Sequence, residues 1–389
     1  MKVSFDKMQK LAIIGASYLQ LPLVKKAKEM GMHTLCFAWQ EGTVCKDPSD
    51  EYYPISVVEK EQILGICQDQ HVDGVCTIAS DVAAPTVAYV AEKMGLVCNS
   101  YETAVMANNK FMMRNAFSKA GVPCPKYQKI SSLNEIDKDW AFPLIVKPID
   151  RSGSLGITKV ERSEDLIPSL KDALRYSFKH EAIVEEFIEG REISVEFISY
   201  QGKHYPLQIT DKVTTGAPHF VELEHHQPAE LSDNQYKEIY ALTVRALDAL
   251  GVTNGASHSE YKITEDGCIY VMEIGARMGG DFIGSDLVVE NLHGAKSDKN
   301  QPEKGFSNNA PAGTRYNLGY LLEHGTAEHA IPNAFGRGYH WNYTDSDGNF
   351  YKGTLEPDWH PGSKAVPHYK LALIKNKKVY KESISEAWR

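Results

Sequence analysis

The sequence lacks the marks of several large classes of protein. Its seven cysteines are odd in number and form no C-x-x-C pair, which excludes a disulfide framework and leaves buried free thiols in a reducing compartment. No apolar run approaches the roughly 18 residues of a membrane helix. Met1 leads into KVSFDKMQK without the apolar core of a signal peptide, so a cytoplasmic location is expected. Neither G-x-G-x-x-G nor G-x-x-x-x-G-K-[ST] occurs: Gly15 in GASYLQ stands alone, which speaks against dinucleotide binding. No Ser-His-Asp or Cys-His arrangement signals a nucleophilic hydrolase. Basic residues are too few for a phosphate-backbone partner, 42 against 51 acidic, a net charge of −9.

What is present is ordinary globular material. At 389 residues, 42% hydrophobic and 24% charged, the chain has room for two to three domains with their own cores. The charge is uneven. Residues 1–290 carry 29 basic and 41 acidic side chains, whereas residues 291–389 carry 13 and 10, together with six of the 14 histidines.

Residues 10–100 alternate strand-like and helix-like patterns in the βαβ manner. LAIIG reads as a buried strand, LPLVKKAKEMG as a helix opened by Pro22 and closed by Gly31, and TLCFA, GVCTIAS and LVCNS as further strands. Ligands of such sheets sit at the carboxyl ends of the strands, which points to Gly15, Ala16 and Ser17, and to Ser80 and Asp81. Asp81 is read equally well as a residue of the following helix N-terminus. From about 101 to 290 the pattern becomes strands joined by hairpins with helices between them, among them a Ser163-capped and a Ser232-capped helix.

Three segments carry chemistry. In PLIVKPIDRSGSLGITKV, the glycines Gly153 and Gly156 let backbone N–H groups approach a phosphate, and Ser152 and Ser154 add hydroxyl donors. In AIVEEFIEGREISVE, backbone groups of Glu186, Phe187 and Ile188 suit an adenine edge, and Glu192 suits ribose hydroxyls. In ASHSEYKITEDGCIYVMEIGARMGGD, two strands turn about Asp266-Gly267, so that even positions of the first strand pair with odd positions of the second. His258, Glu260 and Glu273 then share a face. Two carboxylates placed alike need a cation between them, and hard oxygen ligands suit Mg²⁺ carrying nucleotide phosphates. Arg277 follows at a distance suited to binding oxyanions in bidentate fashion.

In this order the segments resemble the ATP-grasp superfamily over roughly residues 10–290. The resemblance rests on NNKFMMRNAFSKAGVPCPKY, LIVKPIDRSGSLG, VEEFIEGREISVE and the late pair of glutamates in SEYKI and VMEIGARMGG. It implies an α/β, Rossmann-like pre-ATP-grasp domain (1–105), an α+β ATP-grasp domain (106–290, with a lid lobe about 122–188) and an atypical, partly loop C-terminal region (291–389). It also implies roles. Lys110 and Lys147 neutralise phosphates, the loop with Ser152, Gly153, Ser154 and Gly156 closes over them, and Glu185, Glu186, Phe187, Ile188 and Glu192 hold adenosine. Glu260 and Glu273 bind Mg²⁺, with Mn²⁺ as a substitute, and Arg277 stabilises charge on an acyl phosphate. One position departs from the pattern: many relatives have Asn two residues after the second metal glutamate, where this chain has Gly275.

The substrates implied are a small carboxylate and an amine, in the manner of amino-acid ligases and the pyrrolysine-pathway ligase, with no nucleic acid or membrane partner and room for a homodimer. Substrate contacts are expected from Ser17, Ser80, Asp81, Gly279, Gly280 and Asp281, and from Lys212 and His226 on a flap whose breakers are Gly216 and Pro218. His258 either orients a substrate group or is a hydrogen-bonded structural histidine. A bicarbonate-dependent carboxylase of the purine or biotin type and an inactive ATP-binding protein remain alternatives. The tail is expected to hold a long polar loop (NLHGAKSDKNQPEKGFSNNAPAGTRYN) and a hairpin (YHWNYTDSDGNFYKGTLEP).

Overall fold

The structure, a computed structural model, describes residues 8–280 apart from 138, 152–154 and 215–221, together with Ile283 and the backbone of six strands between Phe306 and Glu386. The chain divides into two compact units. The first holds Met1–Ile209, Gly216–Val221 and Leu231–Val289, and the second Thr210–Thr215, Glu222–Glu230 and Glu290–Arg389.

In the first unit, β1 (Lys10–Ile14), β2 (His33–Phe37), β3 (Glu51–Tyr53) and β4 (Gly74–Cys76) form a parallel sheet in the order β3-β2-β1-β4. The period of two sends Ala12, Ile14, Leu35 and Phe37 against Ile63, Cys67 and Val90 of helices α2 (Lys60–Asp69) and α3 (Ala84–Met94). Ile13 and Cys36 face the other way, onto Val24 of α1 (Leu21–Glu29). Both faces are thus covered, as parallel sheets require. The expected strand LVCNS is not one. Asn99 instead accepts the backbone N–H groups of Thr253 (2.8 Å) and Asn254 (2.9 Å), and Ser100 caps α4 (Tyr101–Ala107). Short polar side chains that bond backbone in this way compete with strand pairing.

After α5 (Lys110–Lys119), which Asn109 caps, comes an antiparallel sheet of β5 (Tyr127–Ile130), β6 (Leu144–Pro148), β7 (Thr158–Val160) and β8 (Ala182–Glu186), in the order β5-β8-β6-β7. Helix α6 (Ser163–Tyr176) buries Leu166, Leu170 and Ala173 against Leu144, Val146, Val160 and Val184. The alternation that commits those residues to α6 turns Lys147 and Glu185 to the opposite face. Ser163 does not cap this helix; Arg162 holds the cap position and makes no side-chain bond there.

The third sheet of the unit joins β9 (Arg191–Tyr200), the first part of β10 (Lys203–Thr214), β12 (Gly255–Ile263) and β13 (Ile269–Gly275) in the order β10-β9-β12-β13. Helix α7 (Asp233–Leu250) is capped by Ser232, as read from the sequence, and the structure adds Gln235 to complete a capping box; the helix buries Ile239, Leu242, Ala246 and Leu247. Its Thr243 hydroxyl meets the buried Tyr261 hydroxyl at 2.7 Å. Outer strand β13 is not left open. Its Val271 N–H donates to Pro123 O (2.9 Å), Met272 O accepts from Arg114 Nη2 (2.7 Å) and Ile274 N–H donates to Met113 Sδ (3.4 Å).

In the second unit the outer part of β10 pairs antiparallel with β11 (Glu222–His226), so the flanks of the expected flap are strands; its tip, with Gly216 and Pro218, lies outside the described residues. Strands β14 (Phe306–Ser307) and β15 (Arg315–Tyr316) pair, and β16 (Tyr339–Thr344), β17 (Phe350–Asp358), β18 (His368–Lys375) and β19 (Lys378–Glu386) form an antiparallel sheet in chain order. The expected hairpin is β16 with β17. The last two strands were not anticipated, and most of the expected polar loop lies outside the described residues.

Candidate active site

The site is built on one face of the third sheet. Antiparallel register sets Lys262 opposite Glu192, Glu260 opposite Ser194 and His258 opposite Glu196, and across the other ladder Glu260 opposite Glu273 and His258 opposite Gly275. Even positions of β9 and β12 therefore form rungs about 7 Å apart, while the odd positions pack on α7. The parity expected for the β12–β13 hairpin holds only at the site. Next to the turn, even positions pair with even ones, as in Lys262 with Tyr270; a bulge at Met272 then shifts the register so that Glu273, not Met272, faces Glu260. The bulge keeps Val271 and Ile274 in the core while turning Glu273 into the site.

Each rung is charge-matched. Lys262 Nζ lies 3.1 Å from Glu192 Oε1. At the next rung, the two facing carboxylates have cations beside them: Lys110 Nζ is 3.2 Å from Glu273 Oε1, and His258 Nε2 is 3.5 Å from Glu260 Oε1. At the third, His258 Nδ1 bonds the Glu196 carboxylate, both residues being buried. Burial pushes the imidazole pKa down, but Glu196 and Glu260 on its two sides outweigh it and hold His258 up at about 9. The two carboxylates thus favour the protonated imidazolium. Of the two expected possibilities, the hydrogen-bonded structural histidine is the one seen in its contact with Glu196.

The two lysines come from different elements. Lys110 opens α5 and is buried; its ammonium also donates to Arg151 O at 2.8 Å. Lys147, on β6, ion-pairs with Glu185 Oε2 at 2.7 Å, and Glu185 Oε1 lies 2.7 Å from Arg114 Nε, a contact out of line for a hydrogen bond. All three side chains are buried. Burial pushes the Glu185 pKa up, yet Arg114 and Lys147 hold it down at about 2. Lys147 is lowered, first by burial and then by the neighbouring cations Arg114 and Lys110, against the pull of Glu185. Glu185 was expected at the adenosine; its carboxylate instead lies between Lys147 and Arg114.

Arg277 takes a carboxylate from the loop after β4. Its Nε and Nη2 donate to Asp81 Oδ1 and Oδ2 at 2.7 and 2.8 Å, and Nη1 donates to Met278 O at 3.2 Å. Burial raises the Asp81 pKa, but Arg277 prevails and keeps it below the usual range. Ser80 accepts the Ala83 N–H in the turn that starts α3. Ser17 spends both its N–H and its hydroxyl on Gln20 Oε1, and Gln20 lies over Gly15, where an added Cβ would come within 3.0 Å of it. The carboxyl end of β1 is thus filled by the protein's own side chain. Gly279 lies against the third rung, its missing Cβ within 2.9 Å of His258 Nδ1; Gly280 is near Ala79. Asp281 is outside the described residues, as are Ser152, Gly153 and Ser154. Lys212 and His226 belong to the second unit, where Lys212 pairs in register with His225 and Asp211 with His226.

At the other end, Glu186 accepts the Lys126 N–H, and Phe187 donates its N–H to Pro143 O. The Phe187 ring has Lys159 Nζ at 4.2 Å and Lys262 Nζ at 5.0 Å from its centre, and Ile188 is buried. The base of the glycine-rich loop is pinned: Asp150 accepts N–H groups of Phe178 and Lys179, and the Arg151 guanidinium lies 3.5 Å from the centre of the Phe178 ring. Gly156 is required twice over, by φ of +73° and by Pro148 and Tyr176 atoms 3.0 Å from where a Cβ would stand. Reading the sequence missed Arg114 and Glu196. Arg114 is four residues after Lys110 and so shares its helix face, whereas Glu196 is found only once β9 is paired with β12.

Residues 140–286 match the family described as the ATP-grasp domain, and the chain carries that domain. Among curated proteins, alanine–anticapsin ligase of Bacillus subtilis (strain 168) is 29% identical over 245 residues, covering 57% of this chain and 51% of its own. D-Alanine–D-alanine ligase of Geobacillus thermodenitrificans is 26% identical over 215 residues, covering 50% and 57%. The chain thus spans about half the length of the curated relatives it matches. Among solved structures, L-amino acid ligase from Bacillus licheniformis superposes with a TM-score of 0.64 at 25% identity, covering 74% of each chain.

Proposed function

We propose that the protein is an ATP- and Mg²⁺-dependent ligase that activates a small carboxylate, an amino acid, as an acyl phosphate and joins it to an amine. The observation that carries this reading is the Glu260–Glu273 rung, two facing carboxylates with Lys110 beside one and His258 beside the other. Opposed anions on one sheet face fit a hard cation. Among the described residues no cluster of three or more metal-ligating side chains occurs, so the protein offers a pair of oxygen ligands and leaves the rest to phosphates and water, the usual manner of Mg²⁺. The ligases among its relatives favour an amino-acid substrate.

In this reading Glu192 and the 186–188 segment hold adenosine, and Lys147 and Lys110 meet the phosphates. Mg²⁺, when bound, supplies charge neutralisation at the transferring phosphoryl group. A carboxylate oxygen attacks the γ-phosphorus, the bond to the ADP oxygen breaks, and the amine nitrogen then attacks the acyl carbon, losing a proton as phosphate leaves. The chain's own contribution is positioning and fixed positive charge, from Lys110, Lys147, His258 and Arg277. ADP release measured over pairs of amino acids tests the proposal. Release that needs both an acid and an amine supports it; release that depends on bicarbonate, or ATP binding without turnover, overturns it.

A further inference from the structure

The structure leaves little room for a side chain at Gly275. A Cβ at this position would fall 3.1 Å from Arg277 Cζ, 3.2 Å from its Nε and 3.3 Å from Asp81 Oδ1. The space that a side chain at 275 would enter is held by a guanidinium, already fixed along one edge by a carboxylate from the loop after β4. The fork on Asp81 uses Nε–H and one Nη2–H, and Met278 O takes one Nη1–H. Among the described residues one N–H on each terminal nitrogen is left over, so Arg277 retains donors for an oxyanion.

We propose that Asp81 is a positioning residue that holds Arg277 for the reaction, and that Gly275 is the gap this arrangement requires. The inference rests on the ligase reading, and two further observations support it. The approach is backed by backbone: Ile78 bridges Met278 in parallel fashion, and Ala79 N–H donates to Met278 O at 3.2 Å, so the loop carrying Asp81 is bonded to the residue after Arg277. Both side chains are also mostly shielded, with 14% and 18% exposure, so the pair competes little with water. A planar guanidinium gripped along one edge loses the freedom to rotate, and a carboxylate at that edge leaves one orientation of the other edge.

The test uses the full-length protein and the variants Asp81→Asn, Gly275→Ala, the double variant and Arg277→Lys. In ¹H–¹⁵N spectra the Arg277 Nε–H resonance, identified by its loss in Arg277→Lys, is expected to be resolved and slowly exchanging in the parent, and to move and exchange fast in both single variants. With the substrates found by ADP release, each single variant is expected to lower kcat tenfold or more while KM for ATP changes less than threefold, and the double variant to be no worse than the poorer single one. Asp81→Glu, which keeps the carboxylate, is expected to recover part of the loss. An unmoved Nε–H in Gly275→Ala, or losses in kcat that multiply in the double variant, overturns the proposal. Should no substrate pair release ADP, the ligase reading fails, and the resonance alone then decides whether Asp81 and Gly275 govern Arg277.

Discussion

Glu260 and Glu273 are direct partners across β12 and β13, and the extra residue Met272 makes them so. Without the bulge, the even-with-even register that starts at the turn would set Met272 opposite Glu260 and turn Glu273 toward α7. The same extra residue presents its carbonyl to Arg114, so the device that aims one carboxylate also anchors α5, whose first residue is Lys110.

Glu273→Gln is expected to lower Mg²⁺-dependent ADP release by at least about a hundredfold, because it removes one of the two anionic ligands proposed for the metal. The fold should survive, since the side chain is about a third exposed. Wild-type turnover in this variant, measured in a coupled ADP assay at saturating Mg²⁺, would refute the metal role.

Arg114→Leu leaves Glu185 buried with Lys147 as its remaining cation. Breaking a buried charge network costs about 3–5 kcal/mol, and Arg114→Lys should restore part of it. Urea midpoints are the measurement; a loss under about 1 kcal/mol would show that the guanidinium is not needed to hold the triad.

Acid should act through Glu185. Its folded pKa, about 2, lies below its ordinary value of 4.5, so its contribution is fully present above the unfolded value and is lost as pH falls through the folded one. The stability gap between the parent and Glu185→Gln is expected to shrink by a few kcal/mol between pH 5 and pH 2. A gap that stays constant over that window contradicts the assignment.

Two glycine substitutions should differ. At Gly190 a Cβ would collide with Ile263 O, a backbone atom, so Gly190→Ala must push β9 and β12 apart at the end proposed to hold adenosine, at a cost of about 1–3 kcal/mol and with weaker ATP binding. At Gly202 there is open space and only a positive φ to satisfy, so Gly202→Ala should cost about 1 kcal/mol and leave ATP affinity alone. Thermal unfolding and nucleotide calorimetry distinguish them; equal effects on affinity would refute the contrast.

Much of this was legible in the residues. The hairpin in SHSEYKI and YVMEIG was legible, and with it the expectation that both glutamates share a face, which the bulge fulfils rather than the alternation; Ser232 announced a helix start. What was not legible depends on contacts distant in sequence. The Met272 bulge has no local signature, Asp81 gains its partner 196 residues away, and Glu196 finds His258 only through sheet pairing. Arg114 looks like a surface residue of an amphipathic helix until its carboxylate partner on β8 is known.

Strand β13, which carries Glu273, is the last strand of its sheet, and the residues sealing it, Met113, Arg114 and Pro123, lie on or just after the helix that Lys110 opens. An exposed strand edge is a template for another chain. Loosening α5 would therefore withdraw Lys110 and bare that edge in one event. Heat inactivation and aggregation should then set in together, and a ligand that engages Lys110 should delay both.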